Sequence, residues 1–102
     1  MLRALGRWTA PASVDEVRQR LQQQACMIDV RDPVEYARGH IEGAENVPLD
    51  HVARGLAGRE EDCLIVYCKS GLRSQRAAQI LRRAGFRRVV NLGAMARWRG
   101  AD

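Results

Sequence analysis

Hydrophobic residues along the chain follow two alternating patterns, short continuous runs and helix-like spacings. Continuous runs rich in β-branched and aromatic residues predict buried strands, because a strand inside a parallel sheet is covered on both faces. Strands are predicted at residues 26–30, 44–47, 63–67 and 86–90. Apolar residues three or four positions apart, together with helix-capping residues, predict helices. Helices are predicted at residues 14–23, 33–39, 49–56, 73–84 and 94–99.

The residues at the ends of these segments support the assignment. Ser13 and Glu16 have the spacing of a capping box, and Asp32 followed by Pro33 is a typical helix start. Strands and helices thus alternate four or five times, which predicts an α/β domain with a mainly parallel sheet covered by helices on both faces. Binding sites in such domains form at the carboxyl ends of strands. The strand with the strongest pattern ends at Cys68.

Chain length and hydropathy narrow the class of protein. A chain of 102 residues fits one compact domain over residues 1–102. Its longest uncharged apolar run, residues 63–68, is far shorter than the roughly 18 residues of a membrane span. Residues 2–9 are too short and too interrupted by arginine for a secretory signal. We therefore expect a cytoplasmic protein with no membrane contact.

The net charge suggests nucleic acid as a partner, but the distribution of the charges argues against it. The chain has 17 basic and 12 acidic residues, a net charge of +5, and Lys69 is its only lysine. Such an excess would suit nucleic acid, which attracts cations through its phosphates. The arginines, however, occur along the whole chain and alternate with acidic residues, as on a solvated surface. We expect no nucleic-acid partner.

The three cysteines suggest different environments. None belongs to a Cys-x-x-Cys or Cys/His metal spacing, so we expect neither a metal nor a cofactor. Cys63 and Cys68 lie five positions apart on one predicted strand, so their side chains should point to opposite faces and should not form a disulfide. Cys26 and Cys63 fit buried core positions.

Cys68 has the surroundings of a nucleophile. The segment Cys68-Lys-Ser-Gly-Leu-Arg-Ser74 joins a buried strand to a helix N-terminus, where free backbone amides and the helix dipole favour a thiolate. Gly71 permits backbone angles that turn the loop amides inward into an anion-binding nest. Lys69 and Arg73 add positive charge. By itself, this segment is compatible with sulfur transfer, phosphate-ester hydrolysis or anion binding.

Four motifs follow one another along the chain: Ile28-Asp-Val-Arg31, Glu35-Tyr-Ala-Arg-Gly-His-Ile-Glu-Gly-Ala44, Asn46-Val-Pro48 and Cys68-x-x-Gly-x-Arg-Ser74. Together they resemble the single-domain rhodaneses, which are thiosulfate sulfurtransferase-type proteins, over about residues 13–100. The resemblance implies a five-stranded parallel sheet with helices on both faces. It also implies that Cys68 takes sulfur from a small anionic donor such as thiosulfate, or from a persulfide, and passes it to a thiol or cyanide acceptor.

The length of the loop that begins at Cys68 helps to distinguish sulfur transfer from the alternative functions. Cys68 through Arg73 spans six residues, the length expected of rhodaneses, whereas related cell-cycle phosphatases have one residue more. A small phosphatase is therefore a minor alternative. A sulfur-relay or regulatory module that acts only with a protein sulfur acceptor stays open, because it needs the same cysteine. A nonenzymatic interaction domain would not need Cys68.

Loop residues are the expected donor-binding site: Lys69, Ser70, Gly71, Leu72 and Arg73. Lys69 departs from the Cys-Gly-Ser-Gly loop of mercaptopyruvate-specific relatives, and its charge suits a dianion such as thiosulfate. Arg73 has two equally weighted interpretations. It either holds the donor or pairs with Asp29 or Glu35 and fixes the shape of the loop.

Other polar residues are expected to support the site. Asp29 and Arg31 follow a neighbouring strand, where a structural ion pair is slightly favoured. Ser74 is expected to form hydrogen bonds at the helix start. His40 has the chemistry of a base, but sulfur exchange by a ready thiolate needs none.

Overall fold

Four parallel strands form the centre of residues 10–100, the part of the chain that the computed structural model describes. They are β1 (Cys26–Asp29), β2 (Glu45–Asn46), β3 (Cys63–Cys68) and β4 (Arg88–Ala94), in the order β2-β1-β3-β4. Every neighbouring pair is parallel. The strand with the strongest hydrophobic pattern, β3, lies between β1 and β4, and each of its residues after Cys63 is buried.

Helices precede, connect and follow the strands at the predicted places. They are α1 (Val14–Gln22), α2 (Pro33–Ala37), α3 (Val52–Gly55), α4 (Leu72–Arg83) and α5 (Met95–Arg99). A short 3-10 turn, Leu49–His51, precedes α3, so the segment predicted as one helix over 49–56 is divided. The caps behave as expected: the Ser13 hydroxyl accepts the Glu16 N–H at 3.1 Å, and Asp32 forms a capping box with Glu35.

The last strand is longer than predicted. The predicted end at residue 90 reflects the low strand preference of Asn91 and Gly93. In the structure β4 continues to Ala94, and its register with β3 shifts so that Val66 faces Asn91 while Tyr67 faces Gly93. Leu92 is the extra residue of this β-bulge, and a bulge is a place where a strand tolerates glycine.

Two apolar clusters cover the faces of the sheet. Alternate residues of β3 divide between them: Leu64 and Val66 pack toward α3 and α4, whereas Ile65 packs on the face covered by α1 and α5. Cys63 and Cys68 also belong to opposite clusters, as predicted. Cys26 and Cys63 are only half-buried, so the expectation of two core cysteines holds in part. All three thiols are free.

The sheet confirms the fold class with one difference. The resemblance implied five strands, and residues 10–100 contain four. The chain ahead of α1 lies beside β4, where the Ala12 N–H donates to the Asn91 carbonyl at 2.8 Å, but one such bond does not make a strand. Residues 2–9, considered above as a secretory signal, lie outside the described residues. No helix within residues 10–100 is long and apolar enough to cross a bilayer.

Candidate active site

Cys68 is the last residue of β3, and its side chain is fully buried beneath the loop that follows. The backbone N–H of Gly71 donates to Sγ at 3.0 Å, and that of Ser74 donates at 3.3 Å. Both amides belong to the turn that opens α4, where the helix has unsatisfied donors and a positive dipole end. Two backbone N–H groups are therefore directed at one sulfur atom, and such hydrogen bonds become stronger when the acceptor carries negative charge.

Gly71 gives the loop its shape. Its φ of 101° lies in the left-handed region, which other residues adopt only with strain. The Ser74 hydroxyl donates to the Gly71 carbonyl at 3.1 Å, so the residue that contributes one amide to the sulfur also closes the turn. Ser74 thus forms a side-chain hydrogen bond at the helix start.

The β4 bulge lies directly behind this turn. A side chain at position 71 would come within 3.6 Å of the Ala94 backbone nitrogen and 3.9 Å of Gly93 Cα. Gly93 itself has a φ of 90°. These distances are ordinary van der Waals contacts, so the space would admit a Cβ at position 71, and it is the positive φ of Gly71 that favours glycine there. Sequence reasoning assigned no part to Gly93, although a glycine inside a strand commonly marks a bulge or a close backbone approach.

Arg73 is paired with Glu35. Its Nη1 donates to Oε1 at 2.7 Å and its Nη2 to Oε2 at 3.0 Å, which is the two-pronged geometry of a strong charge-assisted pair. These bonds, helped by one from the Asp32 N–H, lower the pKa of Glu35 from 4.5 to about 2. They also raise the pKa of Arg73. Of the two partners considered from the sequence, the structure has Glu35 and not Asp29.

Asp29 and Arg31 form the expected ion pair in the interior. Arg31 Nη2 donates to Asp29 Oδ2 at 2.7 Å and its Nε donates to Oδ1 at 3.0 Å. The bond to Asp29 raises the pKa of Arg31. Arg31 also donates to the Gly39 carbonyl at 2.7 Å, which connects the end of β1 to the segment after α2.

Tyr67 completes this network from β3. Its hydroxyl donates to Asp29 Oδ2 at 2.7 Å and accepts the Ile41 N–H at 3.0 Å. Burial is the main cause of the raised pKa of Tyr67, so its hydroxyl keeps its proton. Tyr67 directly precedes Cys68, so the network holds the strand end that carries the thiol. Sequence reasoning did not identify this contact, although a tyrosine in a buried strand needs a partner for its hydroxyl.

Asn46 is a second supporting residue that sequence reasoning missed. Its Nδ2 donates to the carbonyls of Asp29 at 3.0 Å and Arg31 at 2.9 Å. One side chain thus holds both ends of the turn that leaves β1. The Asn46-Val-Pro48 motif is part of the family resemblance, but it did not show which groups the Asn46 amide binds.

The remaining predicted residues lie at the surface. Lys69 and Ser70 are exposed, and Leu72 is 78% exposed. His40 is also exposed; its Nδ1 forms a 2.8 Å hydrogen bond with the Tyr36 carbonyl, and its ring stacks on that of Tyr36 at 3.7 Å. The groups that donate hydrogen bonds to the sulfur are therefore backbone amides, whereas Lys69 is exposed to solvent.

Comparison with known proteins assigns this architecture to a family. The profile of the Rhodanese-like domain matches residues 13–101. The chain belongs to the rhodanese-like domain family. Among solved structures, this rhodanese-like chain is similar to the human single-domain sulfurtransferase TSTD1, with 28% identity, a TM-score of 0.81 and coverage of 90% of this chain and 96% of that one.

Sequence relatives of this rhodanese-like chain have varied names. The uncharacterized protein YqhL of Bacillus subtilis is 41% identical over 76% of this chain and 64% of its own length. The thiosulfate sulfurtransferase GlpE of Pseudomonas aeruginosa is 37% identical over 83% of this chain and 79% of its own length. The probable adenylyltransferase/sulfurtransferase MoeZ of Mycobacterium tuberculosis is 40% identical over 74% of this chain and 20% of its own length. The chain thus spans less than two thirds of the length of YqhL and MoeZ.

Proposed function

We propose that this chain is a rhodanese-type sulfurtransferase that carries sulfane sulfur as a persulfide on Cys68. The observation that carries the proposal is the pair of backbone N–H groups, from Gly71 and Ser74, directed at Cys68 Sγ at 3.0 and 3.3 Å. They can hold negative charge on the sulfur without the help of a base, and the thiolate is the form of cysteine that attacks sulfur. The name of the similar GlpE protein supports the same chemistry.

In the first step, the Cys68 thiolate attacks the outer sulfur of thiosulfate. A bond forms between the two sulfur atoms while the S–S bond of thiosulfate breaks, and sulfite leaves with the electron pair of that bond. Cys68 becomes an anionic persulfide, and no proton moves. The N–H groups at the start of α4 stabilise the negative charge by fixed dipoles, as an oxyanion hole does.

In the second step, a nucleophile such as cyanide attacks the outer sulfur of the persulfide. The product is thiocyanate, and the Cys68 thiolate is restored. Because the first product leaves before the second substrate reacts, the kinetics are ping-pong.

The two cations of the loop have different functions in this proposal. Lys69 is exposed, so its charge attracts the dianionic donor to the mouth of the loop. Arg73 directs both terminal nitrogens to Glu35 and joins the loop to α2, so we assign it to holding the loop in shape. Asp29, Arg31 and Ser74 position the loop from below, and the backbone from Lys69 to Arg73 surrounds the donor.

A sulfur-relay module that serves only a protein acceptor is the second candidate. The observation that favours it is the MoeZ relative, in which the matching segment is one fifth of a larger probable adenylyltransferase/sulfurtransferase. Both candidates need the Cys68 persulfide and differ in the acceptor.

Steady-state turnover of thiosulfate and cyanide tests the proposal. Thiocyanate formation by the wild-type chain should be lost in Cys68→Ser and kept in Cys63→Ser, because Cys63 packs on the opposite face of the sheet. Turnover that survives in Cys68→Ser would contradict the proposal. A wild-type chain that forms the persulfide but transfers its sulfur to cyanide no faster than the free reagents react would favour the relay module.

A further inference from the structure

A groove leads away from the Cys68 loop along the outer side of α4. It consists of two adjoining depressions of about 340 and 410 Å³, which share Leu49 and Arg76. The nearer depression begins at Leu72 and Arg73, inside the loop itself. The farther one extends to Ile80 and to Arg54 of α3. The groove therefore connects the mouth of the site to a surface that the thiosulfate reaction does not use.

The groove is much longer than a small sulfur anion. Leu72 and Ile80 lie eight residues apart on α4, a distance of about 12 Å at the helical rise. An extended polypeptide advances about 3.3 Å per residue, so about four residues would fill this length. The dimensions suit a short extended segment of another polypeptide.

The charges along the groove are mainly positive. Arg76 lies where the two depressions meet and Arg54 lies in the farther one, and both side chains are exposed. Within residues 10–100, neither arginine forms an ion pair, in contrast to Arg73. Asp50 is the acidic residue of the lining, and His51 faces it at 3.7 Å. An acidic occupant would supply the missing partners for Arg54 and Arg76.

The groove also offers apolar contacts beside the loop. Leu72 is 78% exposed, the most exposed large hydrophobic residue in residues 10–100, and Leu49 lines the same depression. Neither depression has a Phe, Tyr or Trp side chain in its described lining. Nucleic-acid bases bind single-strand sites largely by stacking on such rings. The lining therefore fits aliphatic side chains better than bases.

We propose that this groove binds an extended, acidic segment of a protein that is the sulfur acceptor. The inference rests on the proposed function and names the acceptor of the same site. An aliphatic side chain of the segment packs on Leu49 and Leu72, and its carboxylates pair with Arg76 and Arg54. The anionic Cys68 persulfide takes up a proton from water, and a cysteine thiolate at the loop end then attacks its outer sulfur. A new S–S bond forms on the acceptor, the S–S bond at Cys68 breaks, and Cys68 leaves as a thiolate.

Fluorescence anisotropy with short peptides tests the binding without any sulfur chemistry. The probe is a fluorescein-labelled hexapeptide of serine followed by alternating leucine and aspartate, and its counterpart has lysine in place of aspartate. At low ionic strength the acidic peptide should bind at least about tenfold more tightly than the basic one, and added salt should weaken its binding. Equal affinities for the two peptides would overturn the proposal, as would tighter binding of a labelled oligothymidylate of equal charge.

Charge reversal locates the site. The double variant Arg54→Glu with Arg76→Glu should lose the preference for the acidic peptide. Arg87→Glu makes the same kind of charge change at an exposed position beside the amino end of β4 that lines neither depression, and it should keep the preference. A preference that survives in the double variant would contradict the groove. If thiosulfate treatment left no persulfide on Cys68, that result would contradict the proposed function. The peptide affinities would still show whether the groove binds an acidic segment.

Discussion

Arg73 and Glu35 join the Cys68 loop to α2 through two parallel hydrogen bonds of 2.7 and 3.0 Å, across 38 positions of sequence. The side chains are 33% and 28% exposed, so the pair lies at the edge of the site and not in the core. Its geometry fixes the direction of the guanidinium and, with it, the first turn of α4. The Arg73 side chain thus contributes mainly by holding the backbone of its loop in place.

The Glu35–Arg73 pair makes stability depend on acid pH. The pKa of Glu35 is lowered from 4.5 to about 2 in the folded chain, so the carboxylate stabilises the fold fully above pH 4.5. That contribution is lost as the pH falls toward 2, because the folded state then binds the proton that the unfolded state already holds. Urea unfolding should show wild type more stable than Glu35→Gln by about 1 kcal/mol at pH 7, a small value for a partly exposed pair.

The difference between wild type and Glu35→Gln should shrink steadily between pH 4.5 and pH 2. Glu42→Gln is the matched control, because Glu42 is an exposed glutamate in the segment after α2. A Glu35→Gln difference that stays constant over this pH range would show that the pair does not titrate as described.

Tyr67→Phe tests the buried network below Cys68. Removal of the hydroxyl leaves Asp29 Oδ2 without one donor and the Ile41 N–H without its acceptor. Loss of a partner for buried polar groups costs about 1–3 kcal/mol. Chemical denaturation should detect this loss, and Tyr36→Phe, whose half-buried hydroxyl donates only to the Ala44 carbonyl, should cost less. If both variants lost the same stability, the Tyr67–Asp29 hydrogen bond would contribute no more to the fold than the Tyr36–Ala44 bond.

Gly71→Ala separates backbone strain from damage to the site. The φ of 101° costs an alanine about 1–2 kcal/mol. Gly85 has a nearly equal φ of 97° after α4, with open space around it, so Gly85→Ala introduces similar strain elsewhere. Both variants should lose similar stability, but only Gly71→Ala should lose turnover, by at least about tenfold, a loss typical for one oxyanion donor. Equal turnover in both variants would contradict the importance of the loop amides.

Lys69→Ala tests donor attraction. The lysine is exposed and is the loop cation outside the Arg73–Glu35 pair, so its removal should raise KM for thiosulfate by several-fold, with little change in kcat. KM for an uncharged sulfur donor should change little, and added salt should reduce the difference between the two donors. If KM changed equally for both donors, the charge of Lys69 would have no part in binding thiosulfate.

Local patterns were sufficient to predict the strand and the helix on either side of Cys68. The continuous apolar run before Cys68 predicted β3, and the glycine and helix after it predicted a loop of inward amides; both agree with the structure. These features depend on residues near one another in sequence. The same reasoning left the partner of Arg73 undecided, because Glu35 and Asp29 were both available until the fold placed α2 beside the loop.

Contacts between residues far apart in sequence could not be predicted from local patterns. The bulge in β4 arises where Gly93 meets the back of the loop, and the Tyr67–Asp29 contact joins residues 38 positions apart. Asn46 binds two carbonyls of another segment. A one-dimensional pattern shows that these residues are unusual for a strand or a turn, but the partner that explains each of them comes only with the three-dimensional arrangement.

Intact-mass measurement after incubation with thiosulfate tests the central claim most directly. The wild-type chain should gain the mass of one sulfur atom, and cyanide should remove it, because Cys68 carries the sulfur as a persulfide. Cys68→Ser should gain nothing, since its remaining thiols, Cys26 and Cys63, lack the loop amides. No gain in wild type, or an equal gain in Cys68→Ser, would contradict the account.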